Sequence, residues 1–261
     1  RTLTTAISLE IGKGETELSL ALGILLLLLS IGNALIINAF PRWMSRDRQT
    51  PHRDLSSTGR FEFSPSNNPT EWKEPLRCSQ VSLTLGEHQI FQNFSATIPV
   101  AGGTVLMGRS GVGKTTLLKL IARLQHADQG CLETGTRKAI LVFQRPFLFS
   151  GTVYYNLAYG LCIRGVPHNE VCKKVSSMAS TLGLIPFLFS SVHRLSAGEG
   201  ARVSLGRALI LEPEILLIDE TLVHLDEKTL SPILQTLQGF LASGRGLILV
   251  SHQSQICADL C

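Results

Sequence analysis

At 261 residues the chain can hold one large domain, or one domain with an appendage. The formal net charge of +4 does not require a nucleic-acid partner, because a basic cluster between residues 42 and 60 supplies most of it. The six cysteines form no C-x-x-C pair, so neither a zinc site nor a redox motif is indicated, and we expect free thiols. Because the first residue is Arg1 and not Met, we expect the chain to be part of a longer product.

An apolar segment near the N-terminus predicts a membrane span. Residues 18–40 carry no charge and include five consecutive leucines, Leu25–Leu29. At about 1.5 Å per residue the segment would reach roughly 35 Å, enough for a hydrocarbon core of about 30 Å. A buried core helix is the alternative, but such helices seldom stay apolar on every face over this length. A signal peptide fits less well, since no basic region directly precedes the segment.

The charges on either side of this segment predict its orientation. Residues 1–17 hold two basic and three acidic side chains, whereas residues 41–60 hold five arginines and two aspartates. The positive-inside rule therefore places residues 1–17 in an extracytoplasmic loop and everything after residue 40 in the cytoplasm. Prolines punctuate the polar segment 41–75, which predicts a linker and not a folded unit.

From residue 76 onward the pattern is typical of an α/β domain. Alternating apolar residues between 76 and 100, with a turn at 86–87, predict short strands. Continuous apolar runs further along predict buried strands, and helical stretches alternate with them, so we expect a mainly parallel sheet covered on both faces. The predicted buried strands are 139–143, 215–218 and 246–250, and the predicted helices are 116–124, 199–211 and 228–241.

A glycine-rich segment between the predicted strand 104–107 and a predicted helix gives the strongest functional signal, because it fits the pattern G-x-x-x-x-G-K-[ST]. Backbone N–H groups of such a loop, with the positive end of the following helix dipole, surround a phosphate. We predict a nucleoside triphosphate site in which Lys114 bridges the β- and γ-phosphates and Thr115 ligates Mg²⁺. A glycine-rich turn before an ordinary helix is the alternative. The predicted phosphate-binding residues are Gly108, Arg109, Ser110, Gly111, Val112, Gly113, Lys114, Thr115 and Thr116.

Four weaker features follow the loop. Asp219 and Glu220 end an apolar strand, where Asp219 would hold Mg²⁺ and Glu220 would polarise the attacking water. Gln144 directly follows another strand and suits Mg²⁺ or that water, and His252 follows a third strand, within reach of the γ-phosphate. Ser196 precedes a predicted helix and can offer its hydroxyl to a phosphate. Taken alone, the two acids could form a solvated loop and the histidine could be structural.

In this order the motifs make residues 76–257 resemble the nucleotide-binding domain of ATP-binding-cassette (ABC) transporters. The resemblance implies an ABC-type P-loop NTPase fold with an antiparallel β subdomain and a helical subdomain. It also implies ATP and Mg²⁺ as cofactors and a head-to-tail dimer with a second ABC domain. By this resemblance, Gly108–Thr116 is the Walker A loop, Gln144 is the Q-loop residue and Leu195–Glu199 is the signature, whose Ser196 and Gly198 contact the partner's ATP. The remaining implied roles are Walker B for Asp219, catalytic glutamate for Glu220, D-loop for Asp226 and switch histidine for His252.

Several positions depart from the family pattern. Ala197 replaces the usual second-signature glycine, and we expect its methyl group to crowd the partner's γ-phosphate or to force an unfavourable φ. Thr221-Leu222 stands where the family prefers Pro-Thr, and Leu85 occupies the position that normally stacks an aromatic ring on adenine. Because Lys114, Gln144, Glu220 and His252 are all present, we expect a competent ATPase that these changes could slow.

The transported substrate is suggested by two further resemblances. The span 144–167 and the start of the signature helix are similar to importer ATPases of the oxyanion type, and residues 1–40 resemble the last periplasmic loop and helix of tungstate permeases. They imply an importer ATPase at the inner (plasma) membrane for tungstate or a related oxyanion (molybdate, sulfate, phosphate), with permease domains and an extracytoplasmic substrate-binding protein as partners. The alternatives are an exporter ATPase, favoured by Phe149–Val153, and a membrane-anchored ABC switch with weak hydrolysis.

Overall fold

The computed structural model describes residue 61 and residues 74–133, 138–222, 225, 227–251 and 260, without the side chains of 227–229. The chain divides after residue 56, and every described residue belongs to the second unit, residues 57–261. The predicted extracytoplasmic loop 1–17, membrane helix 18–40 and nearly all of the linker 41–75 lie outside the described residues, as do Asp226 and His252. No helix within the described ranges combines the length and apolar character that a membrane span needs.

An antiparallel sheet begins the described domain. Strand β1 (Leu76–Leu85) pairs with β2 (His88–Ile98) on one side and with β4 (Gln129–Glu133) on the other. The hairpin between β1 and β2 turns at Gly86, whose φ of 63° is readily adopted only by glycine, so the turn expected at 86–87 is confirmed. Strand β4 was not predicted from the sequence.

A four-stranded parallel sheet forms the second layer. Its strands are β3 (Thr104–Leu106), β5 (Ala139–Val142), β6 (Ile215–Asp219) and β7 (Gly246–Val250), in the spatial order β3-β7-β6-β5. Every residue of the two central strands, β6 and β7, is buried. Their continuous apolar sequences are therefore explained by contact on both faces, as expected for a parallel sheet.

Five α-helices complete the described part of the domain: α1 (Lys114–Ile121), α2 (Val153–Ile163), α3 (His168–Thr181), α4 (Ala197–Leu209) and α5 (Glu227–Ala242). Helices α1, α4 and α5 correspond to the predicted ones with shifted ends, whereas α2 and α3 were not predicted. One apolar core joins both sheets through α1, whose Leu117, Leu118, Leu120 and Ile121 pack among residues of β1, β6 and β7. This core fixes the end of β3 relative to the end of β6.

Helices α2, α3 and α4 pack closely on one another. A Cβ atom added to Gly206 of α4 would lie 2.7 Å from Leu182 Cδ1 and 3.0 Å from Leu157 Cδ2, so only glycine lets the helices approach this closely. Arg202 of α4 also donates to the carbonyl oxygen of Leu182 at 3.0 Å. The helix that begins at the signature is therefore held against the rest of the helical layer.

One residue of the predicted linker contacts this layer. Phe61 is buried, and its backbone N–H donates to the Thr181 hydroxyl at the end of α3, at 2.9 Å. The Thr181 hydroxyl in turn donates to the carbonyl oxygen of Ser177 at 3.0 Å. The chain is thus in contact with the helical layer well before residue 76, where we placed the domain's start from the sequence.

Candidate functional site

The predicted phosphate-binding loop connects β3 to α1. Gly108, Gly111 and Gly113 have φ values of 151°, 81° and 100°, all in the region that L-residues avoid. Gly113 is also packed tightly, since an added Cβ would lie 3.0 Å from Ile90 and from Phe91. The loop therefore needs its glycines for both backbone conformation and packing, as the motif predicts.

The invariant cation of this motif is held inside the loop. The Lys114 ammonium donates to the carbonyl oxygens of Gly108 at 2.7 Å and Arg109 at 2.9 Å. Arg109, Ser110, Gly111 and Val112 are exposed, and Thr116 lies in the first turn of α1. The ammonium group and the positive end of α1 thus lie at one concave turn of backbone, an arrangement suited to an anion.

Walker A and Walker B meet through a hydrogen bond. The Thr115 hydroxyl donates to Asp219 Oδ2 at 2.8 Å, although the two residues are 104 positions apart. Asp219 is the last residue of β6 and is 4% exposed. Burial raises the pKa of its carboxyl, the Thr115 hydrogen bond lowers it, and the neighbouring Glu220 raises it further. A buried carboxylate beside a hydroxyl is a pair of hard oxygen donors, the type that Mg²⁺ prefers.

Two of the three predicted catalytic residues also meet, whereas His252 lies outside the described residues. Gln144 Nε2 donates to Glu220 Oε2 at 2.9 Å, which joins the second residue after β5 to the first residue after β6. Glu220 has a φ of 50°, unusual for a residue other than glycine, and its backbone N–H donates to the Val250 carbonyl oxygen at 3.1 Å. The carboxylate is therefore presented from a strained turn that is tied to two neighbouring strands.

The signature residues lie at the start of α4. Ser196 caps the helix: its hydroxyl accepts from the Glu199 N–H at 3.3 Å, and its own N–H donates to Glu199 Oε2 at 2.7 Å. Ser196 is exposed, and a Cβ at Gly198 would make only an ordinary contact with Leu225 at 3.6 Å. The bonds found for Ser196 run within its own helix, so the structure of one chain does not join the signature to the phosphate loop.

Two of the expected departures can be assessed. Ala197 is the first residue of α4 and has a negative φ, so the expectation of an unfavourable φ at this position is wrong: the helical start accommodates an L-residue without strain. Leu85 lies at the end of β1 and is 40% exposed. It offers an aliphatic surface at the position where the family has an aromatic ring.

Two features escaped the sequence reasoning. Asn156 of α2 is fully buried, and its amide bonds the backbone N–H and carbonyl oxygen of Phe149, each at 2.9 Å, so it holds the segment that follows Gln144. Thr221 is buried beside Glu220. A polar residue within an otherwise apolar stretch was the available signal at Asn156. At Thr221 the signal was the departure from the family's proline.

Within the described ranges, no group of three or more His, Cys, Asp or Glu side chains is arranged to hold a metal ion. This agrees with the donor set at Thr115 and Asp219, because Mg²⁺ at nucleotide sites is held by one or two carboxylates together with the substrate's phosphates. The residues present therefore fit Mg²⁺ that arrives with a triphosphate.

Comparison with known proteins identifies the family. The model of the ABC transporter family matches residues 91–223. The spermidine/putrescine import ATP-binding protein of Bacteroides fragilis is 32% identical over 200 residues, which cover 72% of this chain and 43% of that protein. The Fe(3+) ions import ATP-binding protein of Escherichia coli is 36% identical over 165 residues, 59% of this chain and 47% of that protein. The chain thus spans less than half the length of these curated relatives.

The sn-glycerol-3-phosphate import ATP-binding protein of Paracoccus denitrificans is 36% identical over 170 residues, 60% of this chain and 48% of that protein. Among solved structures, cbiO1 from Clostridium perfringens, described as part of the ABC transporter complex cbiONQ, superposes with a TM-score of 0.60. The superposition covers 71% of this chain and 81% of that chain at 24% identity, which supports the fold. Together with the family match, the glycine conformations of the loop and the Thr115–Asp219 bond, this leads to one conclusion: the chain belongs to the ABC transporter family and carries its ATP-binding domain.

Proposed function

We propose that this chain is the ATP-hydrolysing component of an ABC importer. The observation that carries the proposal is the pair of hydrogen bonds at the carboxyl edge of the parallel sheet, Thr115 to Asp219 and Gln144 to Glu220. These four residues come from the ends of three different segments, and packing alone does not require that their polar groups converge. Phosphoryl transfer to water needs this combination of a metal-holding pair, a residue that polarises the water and a residue that orients it.

The roles follow from the geometry of the side chains. Lys114 lies where its ammonium can exchange two carbonyl oxygens for the β- and γ-phosphate oxygens. Thr115 and Asp219 would hold Mg²⁺, which would neutralise charge on the phosphates when bound. Glu220 accepts a hydrogen bond from Gln144, so its carboxylate and the amide are within reach of one common water molecule. Gln144 would orient that water and Glu220 would accept its proton.

A second copy of the domain would complete the site. Ser196 and Gly198 lie at the exposed start of a 13-residue helix, where the helix dipole and the Ser196 hydroxyl favour a phosphate. We propose that they contact the ATP held by the loop of a partner domain, with Asp226 of the D-loop between the two. His252 would contact the γ-phosphate. Both of these residues lie outside the described part of the chain.

Exposed apolar side chains of the helical layer support a permease as the other partner. Phe147, Ile163 and Phe189 are 68%, 65% and 59% exposed, unusually high values for large apolar side chains. Phe147 lies three residues after Gln144, so a protein bound there would touch the segment that carries the site residue. We propose that cytoplasmic parts of permease domains cover this surface and that the ATP-binding domain works at the cytoplasmic face of the plasma membrane.

Import, and not export, is supported by the relatives, whose names describe import ATP-binding proteins for a polyamine, a phosphate ester and ferric ions. These cargoes differ from one another, so they do not choose a cargo for this chain. We propose tungstate or a related oxyanion on two resemblances, that of the span 144–167 with the start of the signature helix and that of residues 1–40. Uptake of tungstate, molybdate, sulfate and phosphate, each with its own extracytoplasmic binding protein, would test the substrate separately from the ATPase.

The central test compares ATP hydrolysis by the full chain with that of Glu220→Gln, which keeps the volume and removes the base. We expect turnover to fall by at least about a hundredfold with ATP binding retained, since general bases contribute about 10² to 10⁴ in rate. Glu87→Gln in the exposed β1–β2 turn is the matched control and should keep full activity. If wild type and Glu220→Gln hydrolyse ATP at equal rates, the proposal fails.

A further inference from the structure

A buried threonine lies directly after the proposed catalytic base. Thr221 is 4% exposed, and its hydroxyl lies 3.0 Å from the Phe143 carbonyl oxygen and 3.2 Å from the Asp219 carbonyl oxygen. A hydroxyl has one proton to donate, and the shorter contact, to Phe143, crosses from the end of β6 to the end of β5. Thr221 therefore links two neighbouring strands of the sheet through residues that lie 78 positions apart along the chain.

The linked carbonyl belongs to the residue just before Gln144. Two cross-links thus lie side by side: Phe143 to Thr221 through the backbone carbonyl, and Gln144 to Glu220 through the side chains, at 3.0 Å and 2.9 Å. Gln144 directly follows Phe143, and Glu220 directly precedes Thr221, so each residue of the catalytic pair is the chain neighbour of a residue in the first cross-link. The separation between Gln144 and Glu220 is consequently set by the Thr221 bond as well as by their own contact.

Glu220 needs such support because of its backbone. Its φ of 50° is a left-handed conformation that costs a residue other than glycine free energy and persists only where neighbours enforce it. On its amino side the N–H is bonded to the Val250 carbonyl oxygen at 3.1 Å. On its carboxyl side the Thr221 hydroxyl supplies the matching restraint through its bond to the Phe143 carbonyl oxygen.

We propose that Thr221 is a positioning residue for ATP hydrolysis: by bonding the Phe143 carbonyl oxygen it holds Glu220 and Gln144 at the separation that water activation requires. The inference rests on the proposed ATPase function. It is a property of this chain, because the proline that the family prefers here has no hydroxyl and cannot form the bond. Small errors in the placement of a general base are costly in rate, so a single hydrogen bond is enough to matter.

The test substitutes Thr221→Val in the full chain, which keeps the shape and removes the hydroxyl. We expect kcat for ATP hydrolysis to fall about threefold to tenfold, the equivalent of one neutral hydrogen bond, with KM for ATP changed less than about twofold. KM should hold because Lys114 and the phosphate loop make no bond to Thr221. Thr221→Ser, which retains the hydroxyl, should restore kcat. Rates are compared below the melting transition of every variant, and Thr221→Ala replaces Thr221→Val if the latter is not folded.

Two comparisons separate positioning from a general loss of structure. Thr236 is also buried, at 7% exposure, and its hydroxyl donates to the Pro232 carbonyl oxygen at 2.8 Å within α5, so Thr236→Val removes an equivalent bond away from the site. It should leave kcat unchanged. In a Gln144→Ala background the effect of Thr221→Val should shrink to less than about twofold, because the pair that Thr221 aligns is no longer complete.

The outcomes distinguish this inference from the proposed function. An active wild type, an inactive Glu220→Gln and a Thr221→Val with kcat within twofold of wild type would overturn the role of Thr221 and leave the ATPase intact. An undiminished effect of Thr221→Val in the Gln144→Ala background would also overturn it, because the bond would then act elsewhere. If wild type and Glu220→Gln are equally inactive, both proposals fall together.

Discussion

Asn156 provides the sharpest test of how the segment after Gln144 is held. The side chain is fully buried in α2, and its amide bonds three backbone groups: the Phe149 N–H at 2.9 Å, the Phe149 carbonyl oxygen at 2.9 Å and the Thr152 carbonyl oxygen at 3.0 Å. Replacement by leucine keeps the volume and removes all three bonds. The Thr152 carbonyl oxygen still accepts from the Asn156 backbone N–H, so two groups, both on Phe149, lose their partner.

The magnitude follows from those two groups. A buried polar group left without a hydrogen bond costs about 1–3 kcal/mol, which gives about 2–6 kcal/mol for the pair. Phe149 is only half-buried, so water reaches part of its backbone, and we expect Asn156→Leu to lower the free energy of unfolding by about 2–4 kcal/mol. The matched control is Gln92→Ala, at an exposed amide side chain of β2, for which we expect a change within about 0.5 kcal/mol.

Asn156→Asp adds a test of sign. An ionised aspartate still accepts from the Phe149 N–H but faces two carbonyl oxygens with a negative charge, whereas its protonated form can donate to one of them. Its pKa in the folded state is therefore raised, and the free energy of unfolding relative to wild type should recover as the pH falls toward 4. Urea unfolding of all three variants at neutral and acid pH measures both effects. A cost below about 0.5 kcal/mol for Asn156→Leu, or a pH-independent Asn156→Asp, would refute the account of this network.

Three further predictions concern burial. Burial raises the pKa of Asp219, so the stability gained from its protonated form is lost as the pH rises through that pKa. Asp219→Asn should therefore raise the melting temperature at neutral pH in the absence of Mg²⁺, and should raise it by less at acid pH. The same substitution should abolish ATP hydrolysis. Burial raises the pKa of the Cys78 thiol to about 11, which leaves little of the reactive thiolate. Iodoacetamide should therefore modify the exposed Cys131 on the neighbouring strand and spare Cys78 until the protein unfolds. Equal modification of the two cysteines would contradict the pairing of β1 with β4 that places them. Thr181→Val removes the hydroxyl that accepts the Phe61 N–H, so trypsin should cleave the bond between Arg60 and Phe61 at least about threefold faster. Thr181→Ser, which keeps the hydroxyl, is the control. An unchanged cleavage rate would mean that Phe61 is not held by Thr181 in solution.

How well the sequence predicts each element depends on how many of its faces are buried. Strand β7 was predicted with its observed bounds, Gly246–Val250, because a strand covered on both faces is continuously apolar. Strand β4, Gln129–Glu133, has four exposed residues out of five and leaves no apolar pattern to recognise. Helix α2, Val153–Ile163, mixes tyrosines with a buried asparagine, so its apolar residues do not follow one face.

The ends of two helices were misplaced for a common reason. Helix α1 stops at Ile121 and not at residue 124 because Arg123 adopts a left-handed φ of 57°. Helix α4 stops at Leu209 and not at residue 211, and Glu212 beyond it has a φ of 49°. Helices commonly end in a left-handed residue, usually glycine, and a charged residue in that role gives no warning in the sequence. At the other end of α4 the signal was present, since Ser196 and Glu199 have the spacing of a capping box.

The convergence of the site could be expected from the sequence, but its strand order could not. Carboxyl ends of parallel strands meet at one edge, which was sufficient to expect the P-loop, Gln144 and Glu220 together. Only the structure places β7 between β3 and β6, so that the Val250 carbonyl oxygen can take the Glu220 N–H and impose the left-handed turn. The strained backbone of the proposed base is thus a consequence of strand order, and Thr221 completes it from the other neighbour, β5. If Thr221 acts as proposed, the residue after Glu220 matters because β7 and β5 flank β6, and each of them bonds one side of the turn at Glu220.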